Sequence, residues 1–154
     1  MKNHPVVKDF IRDGRAPIPA KVETSLVMSA NRAKNTKPEL ILRKAIWSMG
    51  IRGYRLHWKK APGRPDISFP GKRVAIFVNG CFWHRCPQCK LPIPKSNSSF
   101  WDDKFKKNIE RDKSKISLLK ESGWNVLVVW ECEIRDNLRA CANQLKLYLN
   151  NQPK

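Results

Sequence analysis

A chain of 154 residues with 31 Lys and Arg against 13 Asp and Glu carries a formal charge of +18, and 41% of it is hydrophobic. It is long enough for one domain with its own core and too apolar for a disordered basic tail. Its longest apolar runs, Val74–Val78 and Val126–Trp130, span five residues against the roughly 20 that cross a bilayer, and its first residues have no apolar signal segment, so a cytoplasmic protein is expected.

Residues 1–24 hold Pro5, Pro17 and Pro19 without a sustained period and read as an N-terminal arm before a domain over 25–150. Thr36-Lys37-Pro38-Glu39 carries a helix start, with a capping residue, a first-turn proline and the acid of a capping box. The helix runs to Met49, is stopped by Gly50, and puts Leu42, Ile46 and Met49 on one face. Tyr54, Leu56 and Trp58 alternate with Arg55 and His57 as a short strand. A second strand begins at Asp66, Pro70-Gly71-Lys72 turns, and Arg73 to Asn79 returns as a central strand, the two forming a hairpin. A long helix over 100–122 follows a Cys- and Pro-rich loop, with Ser99 and Asp102 as a second capping box, Gly123 as its stop, and Phe105, Ile109, Ile116 and Leu119 buried. Trp124 to Trp130 reads as a strand covered on both faces and parallel to its neighbour, and a helix over 133–149 closes the chain. The order α-β-β-β-α-β-α predicts an α/β domain, a mixed sheet flanked by helices.

Residues 32–101 contain 15 Lys or Arg and two carboxylates, Glu39 and Asp66. Such a stretch repels itself unless a polyanion lies on it, and nucleic acid is the commonest one. Trp47, Tyr54, Trp58, Phe82, Trp83 and Trp101 are interleaved with these cations and can stack on or wedge between bases.

Cys86-Pro87-Gln88-Cys89 is a CxxC knuckle, Cys81 stands five residues upstream, and Cys132 follows the last apolar strand. Four thiolates from a loop and a strand end can close a tetrahedral structural zinc site. A redox CxxC pair and simple buried thiols are the competing readings. Cys141 falls on the apolar side of the last helix and reads as core.

Asp66 at one strand start, Asn79 at the end of its partner and His84 in the following loop suggest metal-assisted chemistry on phosphate. A carboxylate in a basic cleft suits Mg²⁺, which polarises a phosphodiester, and a histidine can take a proton from the attacking water. On these residues alone a nuclease and a non-catalytic DNA-binding protein stand level.

Pro62-Gly63-Arg64-Pro65-Asp66, then Ile76-Phe77-Val78-Asn79-Gly80-Cys81-Phe82-Trp83-His84, Phe100-Trp101, Asn108, Arg111-Asp112, Gly123-Trp124 and Val129-Trp130-Glu131-Cys132 resemble the very short patch repair (Vsr) endonucleases in order and spacing over about residues 25–135. The resemblance implies a restriction-endonuclease-like fold of the PD-(D/E)xK type with a structural Zn²⁺. It implies Mg²⁺-dependent nicking of one strand beside a T:G mismatch left by deamination of 5-methylcytosine. The partners implied are that duplex, a MutL-type mismatch-repair protein and a cytosine-5 methyltransferase system; a monomer working at the bacterial nucleoid is expected.

Position by position, Asp66 matches the metal-binding acid, the carbonyl of Val78 the second protein ligand, His84 the catalytic histidine and Asp112 the acid that orients it. Glu39 matches an acid of the first helix near the active site. Phe82, Trp83 and Trp101 match an aromatic wedge, Met28 a residue inserted from the opposite groove, and Arg64 lies where it can face Asp66 or DNA. Cys81 and Cys132 match zinc ligands, but Cys86 and Cys89 stand where well-known members use a histidine with a cysteine. Asn79 replaces a His or Asp and cannot act as a base, so reduced rate or metal affinity is expected. The alternatives are a mismatch-binding protein that has lost catalysis and a restriction-type enzyme on unmodified duplex.

Overall fold

The computed structural model describes residues 22–29 and 31–153. Helix α1 (Val22–Ser29) precedes α2 (Lys37–Ser48), β1 (Arg55–Leu56), β2 (Ile67–Phe69), β3 (Val74–Asn79), α3 (Ser98–Glu121), β4 (Asn125–Trp130) and α4 (Glu131–Asn150). Helix α1 was not anticipated, because Val22, Thr24 and Val27 are weak helix formers. It spans the expected boundary after residue 24; residues 1–21 of the expected arm lie outside the described residues. From α2 onward the element order is the one the patterning predicts.

The four strands form one mixed sheet in the order β1-β2-β3-β4. β2 and β3 pair antiparallel, with Ile67 opposite Ile76, around a 3₁₀ turn at Pro70–Lys72. β3 and β4 pair parallel, with Val74 opposite Asn125 and Asn79 opposite Trp130; α3 is the crossover between them. Period-2 alternation sends Val74, Ile76 and Val78 to one face, where they meet Leu42 and Ile46 of α2 and Ile134, Leu145 and Leu149 of α4. The opposite face carries Ala75 and Phe77 against Leu119 and Ile116 of α3, with Trp58 and Trp124 beside them. Each fully buried aliphatic side chain in these layers contributes about 1.5–3 kcal/mol. Asn79 continues the α3-facing series and is itself buried.

Three local expectations are corrected. The strand expected over Tyr54–Trp58 is only two residues long, because His57 turns into the left-handed region (φ 45°) and its ring leaves the pleat. Tyr54 packs edge-on to Phe69, whereas Trp58 reaches Trp124 across the other layer. Helix α3 is capped at Asn97 rather than by a Ser99/Asp102 box: the helix begins at Ser98, so Ser99 already lies inside it. β4 forms the sheet edge opposite β1 and packs into both layers as expected, Leu127 and Val129 against the main core and Val126 and Val128 against the α3 layer, with Val129 buried. Helix α4 starts two residues early, at Glu131, so Cys132 sits in a first helical turn, where Glu133 reaches back to accept from Trp130 N (2.7 Å).

Candidate active site

The sheet brings the expected acid to the far end of β3. Asp66 immediately precedes β2, and its Oδ2 accepts the Val78 N–H at 2.8 Å, which places the carboxylate against the Val78 peptide. Its side chain is 19% exposed. Burial pushes Asp66 up to about 6 from an ordinary 3.8; the Val78 N–H works against this and the neighbouring Glu39 adds to it, while Lys115 and His84 draw the value down.

Glu39 is buried on the first turn of α2. Its carboxylate accepts from the backbone N–H of Asn35 (3.0 Å) and Thr36 (3.3 Å) and from the Thr36 hydroxyl (2.9 Å). The capping acid legible in the sequence is thus the same residue that faces the site. Between the two acids lies His57, its Nε2 3.5 Å from Glu39 and its Nδ1 3.7 Å from Asp66. Burial lowers the pKa of His57, with the Glu39 charge opposing and Lys34 and Arg43 assisting. Ligand atoms of Glu39, His57 and Asp66 all fall within 4.8 Å of one another. The expected facing of Arg64 to Asp66 is absent: Arg64 is exposed in a left-handed turn, and no ion pair joins the two among the described residues.

His84 stands in the tight turns after β3, its N–H bonded to Gly80 O at 3.1 Å. Its Nδ1 lies 2.5 Å from Asp112 Oδ2 on α3. A carboxylate at Nδ1 favours the tautomer protonated there, which leaves Nε2 with the lone pair that can accept a proton. One turn earlier on α3, Asn108 donates to Trp83 O at 3.0 Å and fixes the same loop. Asn79, Asp112 and Lys115 line a small open cleft of about 180 Å³ floored by Phe77, Ile116 and Val128.

Beside His84, Phe82 forms edge-on contacts with Trp83 (centroids 5.2 Å), Trp101 (5.5 Å) and Phe105 (5.2 Å). Trp101 is only 8% exposed and, with Phe105, supports the half-buried Phe82 and Trp83 from beneath. Met28 is half-buried on α1.

The four cysteines expected to converge do so. Sγ atoms of Cys81, Cys86, Cys89 and Cys132 lie within 4.8 Å of one another, with Cys86 and Cys132 3.8 Å apart. A tetrahedral ion with Zn–S bonds of about 2.3 Å needs sulfur separations of about 3.8 Å, so the donor set fits. Burial pushes the thiols of Cys81 and Cys132 up. At Cys86 burial acts the same way but is outweighed by hydrogen bonds from the backbone of Cys89 and Gln88, so its thiol lies below its ordinary value. Glu131 accepts the Cys81 N–H (3.1 Å), tying the loop to the start of α4. Cys141 packs against the main core, apart from this cluster.

Two residues of the site escaped sequence reasoning. His57 carried no signal beyond a polar position in a short strand, and Lys115 is one of several lysines along α3.

Carboxylates withdrawn from solvent and an acid-oriented histidine, in a strongly basic chain with a four-cysteine cluster nearby, are the equipment of a phosphodiester-cleaving protein. The profile of the family described as DNA mismatch endonuclease Vsr matches residues 18–90. The chain is 45% identical over 111 residues to a type II nicking enzyme, V.XorIIP, of Xanthomonas oryzae pv. oryzae, covering 71% of this chain and 80% of that protein. It is 39% identical over 138 residues to the type II nicking enzyme V.NaeI of Lentzea aerocolonigenes, covering 86% and 82%. It is 38% identical over 120 residues to the DNA mismatch endonuclease Vsr of Escherichia coli, covering 78% and 76%. The chain belongs to the Vsr family of DNA endonucleases. No helix among the described residues is long and apolar enough to cross a membrane.

Proposed function

We propose that this protein nicks one strand of duplex DNA beside a T:G mismatch, in a Mg²⁺-dependent reaction that begins very short patch repair of deaminated 5-methylcytosine. The observation that carries the reading is the His84–Asp112 pair standing beside the buried Asp66 and next to an aromatic cluster, in a chain of charge +18. The mixed sheet with helices on both faces supports a restriction-endonuclease-like fold. The names of the relatives, nicking enzymes and a mismatch endonuclease, support both the reaction and the lesion.

Asp66 and the carbonyl of Val78 would hold Mg²⁺, with Glu39 behind them; these are hard oxygen donors in a cleft where burial opposes an unpaired carboxylate. Such an ion supplies Lewis-acid polarisation of the phosphodiester and screens the charge that develops on it. Nε2 of His84 takes a proton from the attacking water as its oxygen bonds to phosphorus and the bond from phosphorus to the leaving oxygen breaks. Asp112 holds the ring in position and stabilises the imidazolium. The leaving oxygen is protonated from solvent, since Asn79 has no titratable group to act as an acid.

Phe82 and Trp83, supported by Trp101, are the wedge in this reading, and Met28 on α1 approaches from the other groove. A T:G wobble is already poorly stacked, so entering there costs less than at a matched step. Trp83→Ala is expected to weaken T:G binding relative to T:A by about 1–3 kcal/mol, the worth of one aromatic stack. A variant that unfolds more readily yet keeps the wild-type T:G to T:A affinity ratio would show that Trp83 only packs.

The function is tested with purified protein and Mg²⁺ on end-labelled duplexes that differ only in a central T:G, T:A or C:G pair. Nicking of one strand of T:G alone is expected. Tight T:G binding without cleavage would replace the enzyme by a mismatch-binding protein, a reading that Asn79 alone favours. Equal cleavage of all three would indicate a restriction-type activity. On the proposed reading the protein works as a monomer beside a cytosine-5 methyltransferase system and a MutL-type protein.

A further inference from the structure

We propose that Lys115 contacts the phosphate of the strand bound at Asp66 and stabilises negative charge on its oxygens during cleavage; this rests on the endonuclease reading above and adds a residue to it. Lys115 lies on α3 three residues after Asp112, nearly one helical turn, so both side chains project from one face of the helix. That face points into the cleft that Lys115 shares with Asp112 and Asn79.

Its stem is held rather than free. A Cβ added to Gly63 would come within 2.9 Å of Lys115 Cβ, so the loop before Asp66 runs directly over this lysine, and Gly63 itself takes a left-handed φ of 71°. On the other side the ammonium sits 6.0 Å above the Phe77 ring. A lysine fixed between a glycine backbone and an aromatic ring gives up less conformational freedom on binding than an exposed one.

Its charge has work to do there. No carboxylate stands within ion-pair distance of its ammonium among the described residues, whose salt bridges all involve other groups. Yet the Lys115 charge reaches Asp66. Asp112 lines the cleft and Asp66, with Glu39 acting on it, lies within reach of the Lys115 charge, so a DNA phosphate brought there meets carboxylate repulsion that grows as water is excluded. The imidazole of His84 already faces Asp112, His57 faces Glu39 and Asp66, and Asn79 carries no charge. Lys115 is the cleft-lining side chain left to offer a cation to the substrate, and a cation placed before the reaction costs no reorganisation during it.

The test compares Lys115→Met, which keeps the aliphatic stem against Gly63, and Lys115→Arg with wild type and Asp66→Ala. Single-turnover nicking of the T:G duplex in Mg²⁺ is expected to slow by about 10²–10³-fold in Lys115→Met, the range for losing one preorganised charge-stabilising donor. Lys115→Arg should recover part of the rate. Binding is read in the non-cleaving Asp66→Ala background, with and without Lys115→Met. There the slope of log affinity against log salt should fall by about 0.9, one phosphate contact. A Lys115→Met rate within about threefold of wild type, or an unchanged salt slope, overturns the proposal. Wild-type protein that binds but never nicks would instead overturn the endonuclease reading, and the salt slope would then decide the phosphate contact by itself.

Discussion

Removal of the zinc proposed at Cys81, Cys86, Cys89 and Cys132 by a strong chelator is expected to unfold the protein or leave it without fixed packing. Structural zinc sites in small domains contribute about 10–16 kcal/mol of apparent binding free energy, whereas a whole domain is stable by about 5–15 kcal/mol. Here the four sulfurs join the loop after β3 to the first turn of α4, and α4 supplies Ile134, Leu145 and Leu149 to the main core. Loss of such an ion would therefore release both the loop bearing His84 and the anchored end of a core helix. Elemental analysis should find one zinc per chain in protein prepared without chelator, a reduced content in Cys132→Ser and an unaltered content in Cys141→Ser. Circular dichroism should show a thermal transition that chelator lowers or abolishes. Zinc-free protein with the same transition as untreated protein would remove the metal from the account of stability.

Replacement of Asp66 by Asn is expected to end nicking and, in the absence of Mg²⁺, to make the protein more stable near neutral pH. The side chain is 19% exposed, and burial is the main cause that raises it from 3.8 to about 6. A carboxyl with a raised folded-state value binds its proton more tightly folded than unfolded. It thus contributes stability that is fully present below about 3.8 and is lost as pH rises through about 6. That interval corresponds to at most about 3 kcal/mol, the cost of keeping a charged Asp66 in the cleft. Asn retains an oxygen for the Val78 N–H and carries no charge, so Asp66→Asn should raise the denaturation midpoint at pH 7.5 and leave it nearly unchanged at pH 4. DNA binding should be kept or strengthened, since a negative charge facing phosphate is gone. A midpoint that moves equally at both pH values would mean that packing, rather than ionisation, governs the substitution.

Legibility in the sequence followed the range of the interactions. Thr36, Pro38 and Glu39 announced α2 because a helix start is decided within four residues, and the unbroken apolar run from Val74 to Val78 announced a central strand. The limits of β1 were misread because its position at the sheet edge is settled by pairing with distant segments. Ser99 is an acceptable cap by composition, but the helix begins at Ser98, after the left-handed Asn97, and leaves Ser99 inside it. Asp66 and His84 stood out as an acid and a histidine placed by the strand ends, whereas Asp112 was picked out only through the family resemblance; composition alone would not have joined an acid at residue 112 to a histidine at 84. His57 and Lys115 stayed hidden because each gains its meaning from a chain crossing: His57 from the turn that aims its ring between Glu39 and Asp66, Lys115 from the loop at Gly63. Among Lys104, Lys106, Lys107, Lys113 and Lys120, no local feature marks Lys115.

Trp83 and His84 are consecutive residues, and α3 holds both: Asn108 through the Trp83 carbonyl, Asp112 through the His84 ring. The two anchors are four residues apart on the helix, so they rise and shift together. The side chain proposed to enter the base stack and the one proposed to accept the proton thus form a single lever with a common fulcrum. A duplex that seats Trp83 poorly displaces His84 by a comparable amount, and a misplacement of about 1 Å in a reacting group can cost about 10²-fold in rate. Discrimination between lesions is therefore expected to be filtered twice, once in residence time and again in the chemical step, so that cleavage selectivity exceeds binding selectivity.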